Sequence, residues 1–249
     1  GDWRGFMHPS LNMLATQHPA SLFKNPKMKL ALLNDWAKVP KILAGTWPQP
    51  TPPYVQVRQH NIGEFFTFVA QAHTDNPPFV VIDTEYILET RFLTVIGITY
   101  PGAPLSVQVW MQDLDTYGRK DIRAHLLSLI ARHKVVFQNA LADIPVLERN
   151  LGIGYDLYRA GIGDTMLAHA VLWSDWPHTL EFLASLYSKH NKMKHLSQTN
   201  PSLYNMGDCW DTSSTMEALE GELNRDKLTR SIYETQSIPL VPIILKRMA

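Results

Sequence analysis

Three apolar runs lie close together in the sequence and limit what the chain can fold into: FVVIDTEY at 79–86, FLTVIGITY at 92–100 and LSVQVWM at 105–111. Short turns separate them, one marked by Pro101 and Gly102. Runs of this kind, at this spacing, predict an antiparallel meander of three strands. Before them, Ile62, Phe65, Phe66, Phe68 and Val69 recur at helical spacing over 61–73. After them, Ile122, Leu126, Leu129 and Ile130 share one face of a helix over 119–133. VVFQN at 135–139 reads as a short strand, followed by helices over about 142–151, 164–173 and 178–188 and a long helical run over 207–235. The expected fold class is α/β, a mixed sheet opened by three antiparallel strands and flanked by helices. An open sheet of this kind takes its ligand at its strand ends.

Four prolines in WPQPTPPY, 47–54, mark a linker or an extended surface crossing. It divides a helical extension at 1–46 from a main unit at 55–235, with a short junction segment at 236–249. The chain opens GDWRG with no initiator Met, so it reads as a processed or tagged piece, with Gly1 and Asp2 as tag residues. Lys and Arg together number 23, as do Asp and Glu, which excludes a polybasic binder but leaves room for a local basic patch. Cys209 is the sole cysteine, so no internal disulfide can form and a cysteine-ligated zinc site is not expected. That usage fits a reducing, cytoplasmic setting. No signal peptide and no membrane-spanning apolar run is evident.

The first strand ends on acids. Asp83 and Glu85 stand at i and i+2 and share one face of the sheet. Two carboxylates there repel, and burying each costs free energy unless something positive compensates. A divalent cation held by oxygen ligands is the simplest compensation; a solvated strand end is the plain alternative. FQNALADIPVLERN, 137–150, places Asn139 four residues before Asp143 on the next strand-to-helix passage. A first-turn acid also suits the helix dipole there. SLYNMGDCWDTSST, 202–215, sets Tyr204 and Asp208 at i and i+4 on one helix face.

D-x-E on a strand, N-x-x-x-D on a following helix and Y-x-x-x-D on a late helix resemble the three exonuclease motifs of the DEDD superfamily, and the tyrosine resembles its DEDDy branch. The resemblance covers about 60–235 and implies the ribonuclease H-like fold. GDTMLAHAVLWSDWPHTLEFLASLY, 163–187, is similar to the region between second and third motifs in family A DNA polymerases. YETQSIPLVPIILKRMA, 233–249, is similar to the segment that leads from exonuclease to polymerase in that family. Near the N-terminus, NMLATQHPASLFKNPKMKLALLNDWAKV, 12–39, resembles the C-terminal end of a family 4-like uracil-DNA glycosylase, through Thr16, His18, Pro19 and Ala20. The catalytic front half of such an enzyme is missing, so His18 is expected to be a relic or a packing residue.

The resemblance implies a 3′–5′ exonuclease acting on single-stranded DNA 3′ ends, as the proofreading part of a family A DNA polymerase in a bacterial or phage-infected cell. It implies that Asp83, Glu85, Asp143 and Asp208 hold two Mg²⁺ or Mn²⁺ ions and that Tyr204 orients the attacking water. Gln138 and Asn139 match a pair that lies beside the scissile strand. Leu141 and Ala142 depart from the Lys and Tyr often found there, which removes a charge and a ring from the DNA path. Tyr86, Phe137 and Trp210 are candidates for base stacking, Tyr86 first among them, against the alternative of core packing. The basic stretch with Lys189, Lys192 and Lys194 reads as a solvated turn or a phosphate guide. His169 and His178 are metal ligands by type only, and Cys209 is expected to be a small buried residue. Two other readings stay open: a 3′-end RNA-trimming exoribonuclease, and a silent nucleic-acid-binding scaffold.

Overall fold

A computed structural model describes residues 3–8 and 10–248. Gly1 and Asp2, read above as tag residues, lie outside them, as does Ala249 at the end of the junction segment. A small antiparallel hairpin, β1 (Met7–His8) and β2 (Met13–Leu14), opens the chain. Helices α1 (Lys29–Ala37) and α2 (Val39–Leu43) follow, then β3 (Tyr54–Val57) and α3 (Gly63–Asp75). Next come the expected meander strands, β4 (Val80–Ile87), β5 (Phe92–Thr99) and β6 (Ser106–Trp110). The order then runs α4 (Thr116–Arg132), β7 (Val135–Phe137), α5 (Ala140–Leu151), α6 (Gly154–Ala160) and β8 (Ile162–Asp164). It closes with α7 (Thr165–Leu172), α8 (Leu180–Tyr187), α9 (Pro201–Leu223), α10 (Lys227–Ile232) and α11 (Ile238–Met248).

Six strands make one mixed sheet in the order β3-β6-β5-β4-β7-β8. Pairs β4–β5 and β5–β6 are antiparallel, as expected, while β3–β6, β4–β7 and β7–β8 are parallel. Alternation along β4 divides the core. Val80 and Ile82 face Phe65, Leu126 and Ile144 on the α3, α4 and α5 side. Val81 faces Met206, Cys209 and Trp210 of α9 on the other. Side chains two apart on a strand share a face, so Asp83 and Glu85 continue the Val81 side, toward α9.

Two sheet strands were not legible in the sequence. β3 hides directly after the prolines, and β8 is three residues between Gly161 and the start of α7. The long helical run also differs from expectation, starting at Pro201 rather than 207 and ending at Leu223 rather than 235. Asn200 caps its start by accepting the Leu203 N–H at 3.1 Å, and proline is well placed in a first turn. Asp226 then caps a new helix, α10, by accepting the Leu228 N–H at 3.0 Å. The proline-rich stretch lies against the body: Trp47 is buried, its Nε1 donates to Ser188 O at 3.3 Å, and Gln49 N donates to Lys189 O at 2.8 Å. Among the described residues no helix is long and apolar enough to cross a membrane.

Candidate active site

Across the ladder from Asp83 stands Gly97 of β5. A Cβ there would lie 2.6 Å from Asn205 Oδ1 and 2.6 Å from Cys209 Sγ, both on α9. With only a hydrogen in that place, α9 settles onto the sheet and brings Asn205 Nδ2 to 2.7 Å from Asp83 Oδ2. Asn205 is itself held from behind. Gln108 Nε2 donates to Asn205 Oδ1 at 2.9 Å, and Trp110 Nε1 donates to Gln108 Oε1 at 3.1 Å. This buried relay fixes the orientation of the Asp83 carboxylate.

Asp143 arrives from the opposite side. Asn139, at φ 65°, turns the chain from β7 into α5, and Asp143 sits one turn inside the helix. Buried, its Oδ1 accepts from Thr84 N at 3.0 Å and from Thr84 Oγ1 at 2.6 Å, which docks it on β4 between the two strand acids. Asp164, at the end of β8, sets the start of α5. It accepts from Ala140 N at 2.7 Å and from Met166 N and Leu167 N, in α7, at 2.8 and 3.1 Å. Its own N–H donates to the Tyr233 hydroxyl at 2.9 Å.

The third contribution comes from α9, where Tyr204 and Asp208 lie one turn apart and the phenol, beside the carboxylate, favours its ionised form. Four carboxylates and one phenol from β4, α5 and α9 are thus brought together. Their electrostatics show it. Burial first, then the charges of Asp143, Asp208 and Glu85, push Asp83 well above the usual carboxylate range, against the Asn205 hydrogen bond. Burial raises Glu85 as well. Asp143 is pushed up to about 7 by burial, despite the two Thr84 bonds that favour its ionised form. Asp208 rises to about 7, again through burial, with Lys194 acting in the opposite direction. Tyr204 is held far above an ordinary phenol by burial and the Asp208 carboxylate, so it stays a neutral hydrogen-bond partner.

This donor set is all oxygen, mutually repelling and partly desolvated, which is the chemistry that suits Mg²⁺ or Mn²⁺. Among the described residues no three His, Cys, Asp or Glu side chains close into a finished cage. Asp143 is turned to Thr84 and Asp83 to Asn205, so each acid is directed by a protein partner. Two cavities reach the cluster, one at Glu85 and one at Asp208. One of about 440 Å³ exposes Glu85, Thr94, Trp110, Ser197 and Tyr204. The other, about 110 Å³, lies between α8 and α9 and is lined by Phe6, Glu181, Lys192, Lys194, Tyr204 and Asp208. The two lysines both bond Glu181 there, Lys194 at 3.1 Å.

Other candidates fall elsewhere. Gln138 spends both ends of its amide inside the protein, donating from Nε2 to His178 O at 3.0 Å and accepting from Thr165 Oγ1. Tyr86 is half-buried against the core, with its hydroxyl accepting from Arg91 at 2.9 Å. Phe137 and Trp210 are buried core residues and offer no face to a base. His169 is buried with Nδ1 2.8 Å from His178 Nδ1, and burial lowers it to about 4, so it is a neutral core histidine. Cys209 is buried, and burial pushes its thiol up, which leaves it inert as a nucleophile. Gly97, Asn205, Thr84 and Asp164 were not singled out from sequence. A glycine inside a strand is a signal of close backbone approach, and an Asp just before a helix is a capping signal. Asn205 and Thr84 carry no such mark.

No protein-family model and no curated protein matches this sequence. Solved structures do. One described as the apo form of the nuclease aligns with TM-score 0.54 at 14% identity, over 80% of this chain and 93% of that one. Brucella melitensis NrnC aligns with TM-score 0.51 at 18% identity, over 79% and 93%. The EXO domain of Aedes aegypti Nibbler aligns with TM-score 0.54 at 11% identity, over 72% and 95%. The chain has the ribonuclease H-like exonuclease fold. Within that fold Asp83 and Glu85 lie toward the C-terminal end of β4, Asn139 just past the end of β7, which runs parallel beside β4, and Asp164 at the end of β8, which runs parallel beside β7. This is the strand edge where an open sheet receives its ligand.

Proposed function

We propose that the protein is a 3′–5′ exonuclease that hydrolyses phosphodiester bonds at the 3′ end of a single strand. The observation that carries this is the gathering of Asp83, Glu85, Asp143 and Asp208 from three separate elements, with Tyr204 beside them and Glu85 and Asp208 each facing a cleft. The four acids would hold Mg²⁺ or Mn²⁺, and such ions supply Lewis-acid stabilisation of phosphate charge and a lowered pKa for the attacking water. Neutral Tyr204, one turn from Asp208, offers its hydroxyl to position that water. Gln108 and Trp110 hold Asn205, and Asn205 holds Asp83, so the oxygen facing the substrate does not wander.

DNA is the substrate we favour, as the proofreading exonuclease of a family A DNA polymerase. The stretches at 163–187 and 233–249, similar to polymerase sequence, support that setting. RNA trimming uses the same acids and is the competing outcome. Matched 5′-labelled DNA and RNA single strands, incubated with Mg²⁺ or Mn²⁺ and with a chelator, decide both questions. Stepwise shortening from the 3′ end that stops with the chelator is expected, faster on DNA. Undigested strands under every condition would leave the scaffold reading. In the same assay Tyr204→Phe should slow hydrolysis by on the order of 10²-fold, less than loss of an acid; an equal loss would show that Tyr204 does more than orient.

A cation-free protein should lose stability as pH rises. Folded Asp143 and Asp208 keep their protons up to about 7, whereas unfolded aspartate releases them near 3.9, roughly. Between those values the folded state binds more protons, so this stability is fully present below the lower one and lost as pH climbs through the upper. In chelator the melting temperature should fall by roughly 5 °C or more from pH 5 to pH 8, and Mg²⁺ or Mn²⁺ should restore it most at pH 8. A flat profile would mean that the acids do not share one desolvated site.

A further inference from the structure

Described residues of the N-terminal segment, Arg4 to Met7 and Asp35 and Lys38, are built into the wall of the site. Met7 N donates to Asn191 Oδ1 at 3.0 Å, and Asn191 Nδ2 returns a bond to Met7 O at 2.9 Å. Buried Lys38 donates from Nζ to Gly5 O and to Ser185 O, each at 2.6 Å, and Arg4 pairs with Asp35 at 3.1 Å. These contacts press the segment onto α8 and carry Phe6 into the cavity shared by Tyr204 and Asp208.

Beside that cavity lies a larger cleft of about 640 Å³, lined among others by Trp3, His8, Gln17, Asn25 and Phe182. The two are neighbours through two contacts. Trp3, half-buried, has the Lys192 ammonium 5.5 Å from its ring centre, and Lys192 lines the inner cavity. Phe182, in the cleft, adjoins Glu181, which bonds Lys192 and Lys194. Trp3 also lies 5.1 Å from the His8 ring and 5.3 Å from the His195 ring, centre to centre. None of the described residues lining the cleft is Asp or Glu, although the acid cluster is next door. An aromatic face and the side-chain amides of Gln17 and Asn25, set among apolar residues with Arg4 already paired to Asp35, suit a nucleobase, and the volume is that of an ordinary ligand site.

We propose that this cleft is a strand-binding subsite. It holds a nucleotide of a single-stranded nucleic acid upstream of the penultimate one, beyond the reach of a dinucleotide. Trp3 is the stacking face, and Lys192 and Lys194 line the path from the cleft to the acids. The inference rests on the exonuclease reading for its direction, but its binding test does not need hydrolysis.

The test uses the full chain, Trp3→Ala and Trp3→Phe, on a 5′-labelled dinucleotide and a decanucleotide, as DNA and as RNA. The decanucleotide is also titrated in chelator by fluorescence anisotropy. Trp3→Ala should lower the ratio of kcat/KM for the decanucleotide to that for the dinucleotide about tenfold, the scale of one lost base stack. Trp3→Phe should restore most of the ratio, and decanucleotide binding in chelator should weaken by a similar factor in Trp3→Ala alone. An unchanged ratio, or equal loss on both substrates, overturns the subsite. If the unaltered protein hydrolyses neither substrate, the exonuclease reading fails and anisotropy decides the cleft: about tenfold weaker binding by Trp3→Ala upholds it, equal or absent binding overturns it.

Discussion

Asp83→Asn should abolish 3′-end hydrolysis, by on the order of 10³-fold or more, and leave single-strand binding in place. The substitution keeps the shape of the side chain and an oxygen able to accept from Asn205 Nδ2, now 2.7 Å from Asp83 Oδ2. What it removes is the negative charge at the centre of the cluster, the one that Asp143, Asp208 and Glu85 all oppose. For that reason the same variant should melt higher than the parent in chelator at pH 8, because a desolvated carboxylate among like charges works against folding. Activity and stability should therefore move in opposite directions. A variant that still degrades 3′ ends would end the exonuclease reading. One that loses activity and stability together would mean that Asp83 supports the fold and not the chemistry.

Gly97→Val is expected to have a large effect too, from a residue with no functional group. The new side chain would begin 2.6 Å from both Asn205 Oδ1 and Cys209 Sγ. Backbone on one side and a helix on the other leave little room, so α9 must lift from β5. Such overpacking costs about 1–3 kcal/mol. Lifting α9 carries Tyr204 and Asp208 away from β4, and a misplacement of about 1 Å can cost 10²-fold in rate. Gly97→Val should thus retain a folded circular dichroism spectrum, melt several degrees lower and lose roughly 10²-fold in activity. Full activity in a folded variant would show that α9 can reseat without disturbing the acids.

Much of this was legible in the chain. The meander was readable because β4, β5 and β6 are apolar, β-rich and closely spaced, and the acid positions because strand and helix periods place them on shared faces. β3 and β8 were not, since a four-residue strand behind prolines and a three-residue strand behind a glycine carry too little pattern. The limits of the long helix were misread because Pro201 looks like a stop when it is a start, and Asn224–Asp226 interrupts a run whose polar residues resemble a continuing helix. Gln138 shows a further gap. Its place beside the strand-to-helix passage that carries Asp143 is visible in the sequence, but whether its amide points to a ligand or into the scaffold depends on Thr165 and His178, residues far along the chain.

Asp164 joins the starts of two helices through one side chain, and the Tyr233 phenol meets its peptide from a third element. Errors at this junction are transmitted: a tilt in α7, or a shift in the segment that supplies Tyr233, reaches Asp143 through a buried residue. A genetic screen that scores only lost digestion would count Asp164 with the reacting groups. Measuring strand retention and unfolding side by side would sort it back among the joints of the frame.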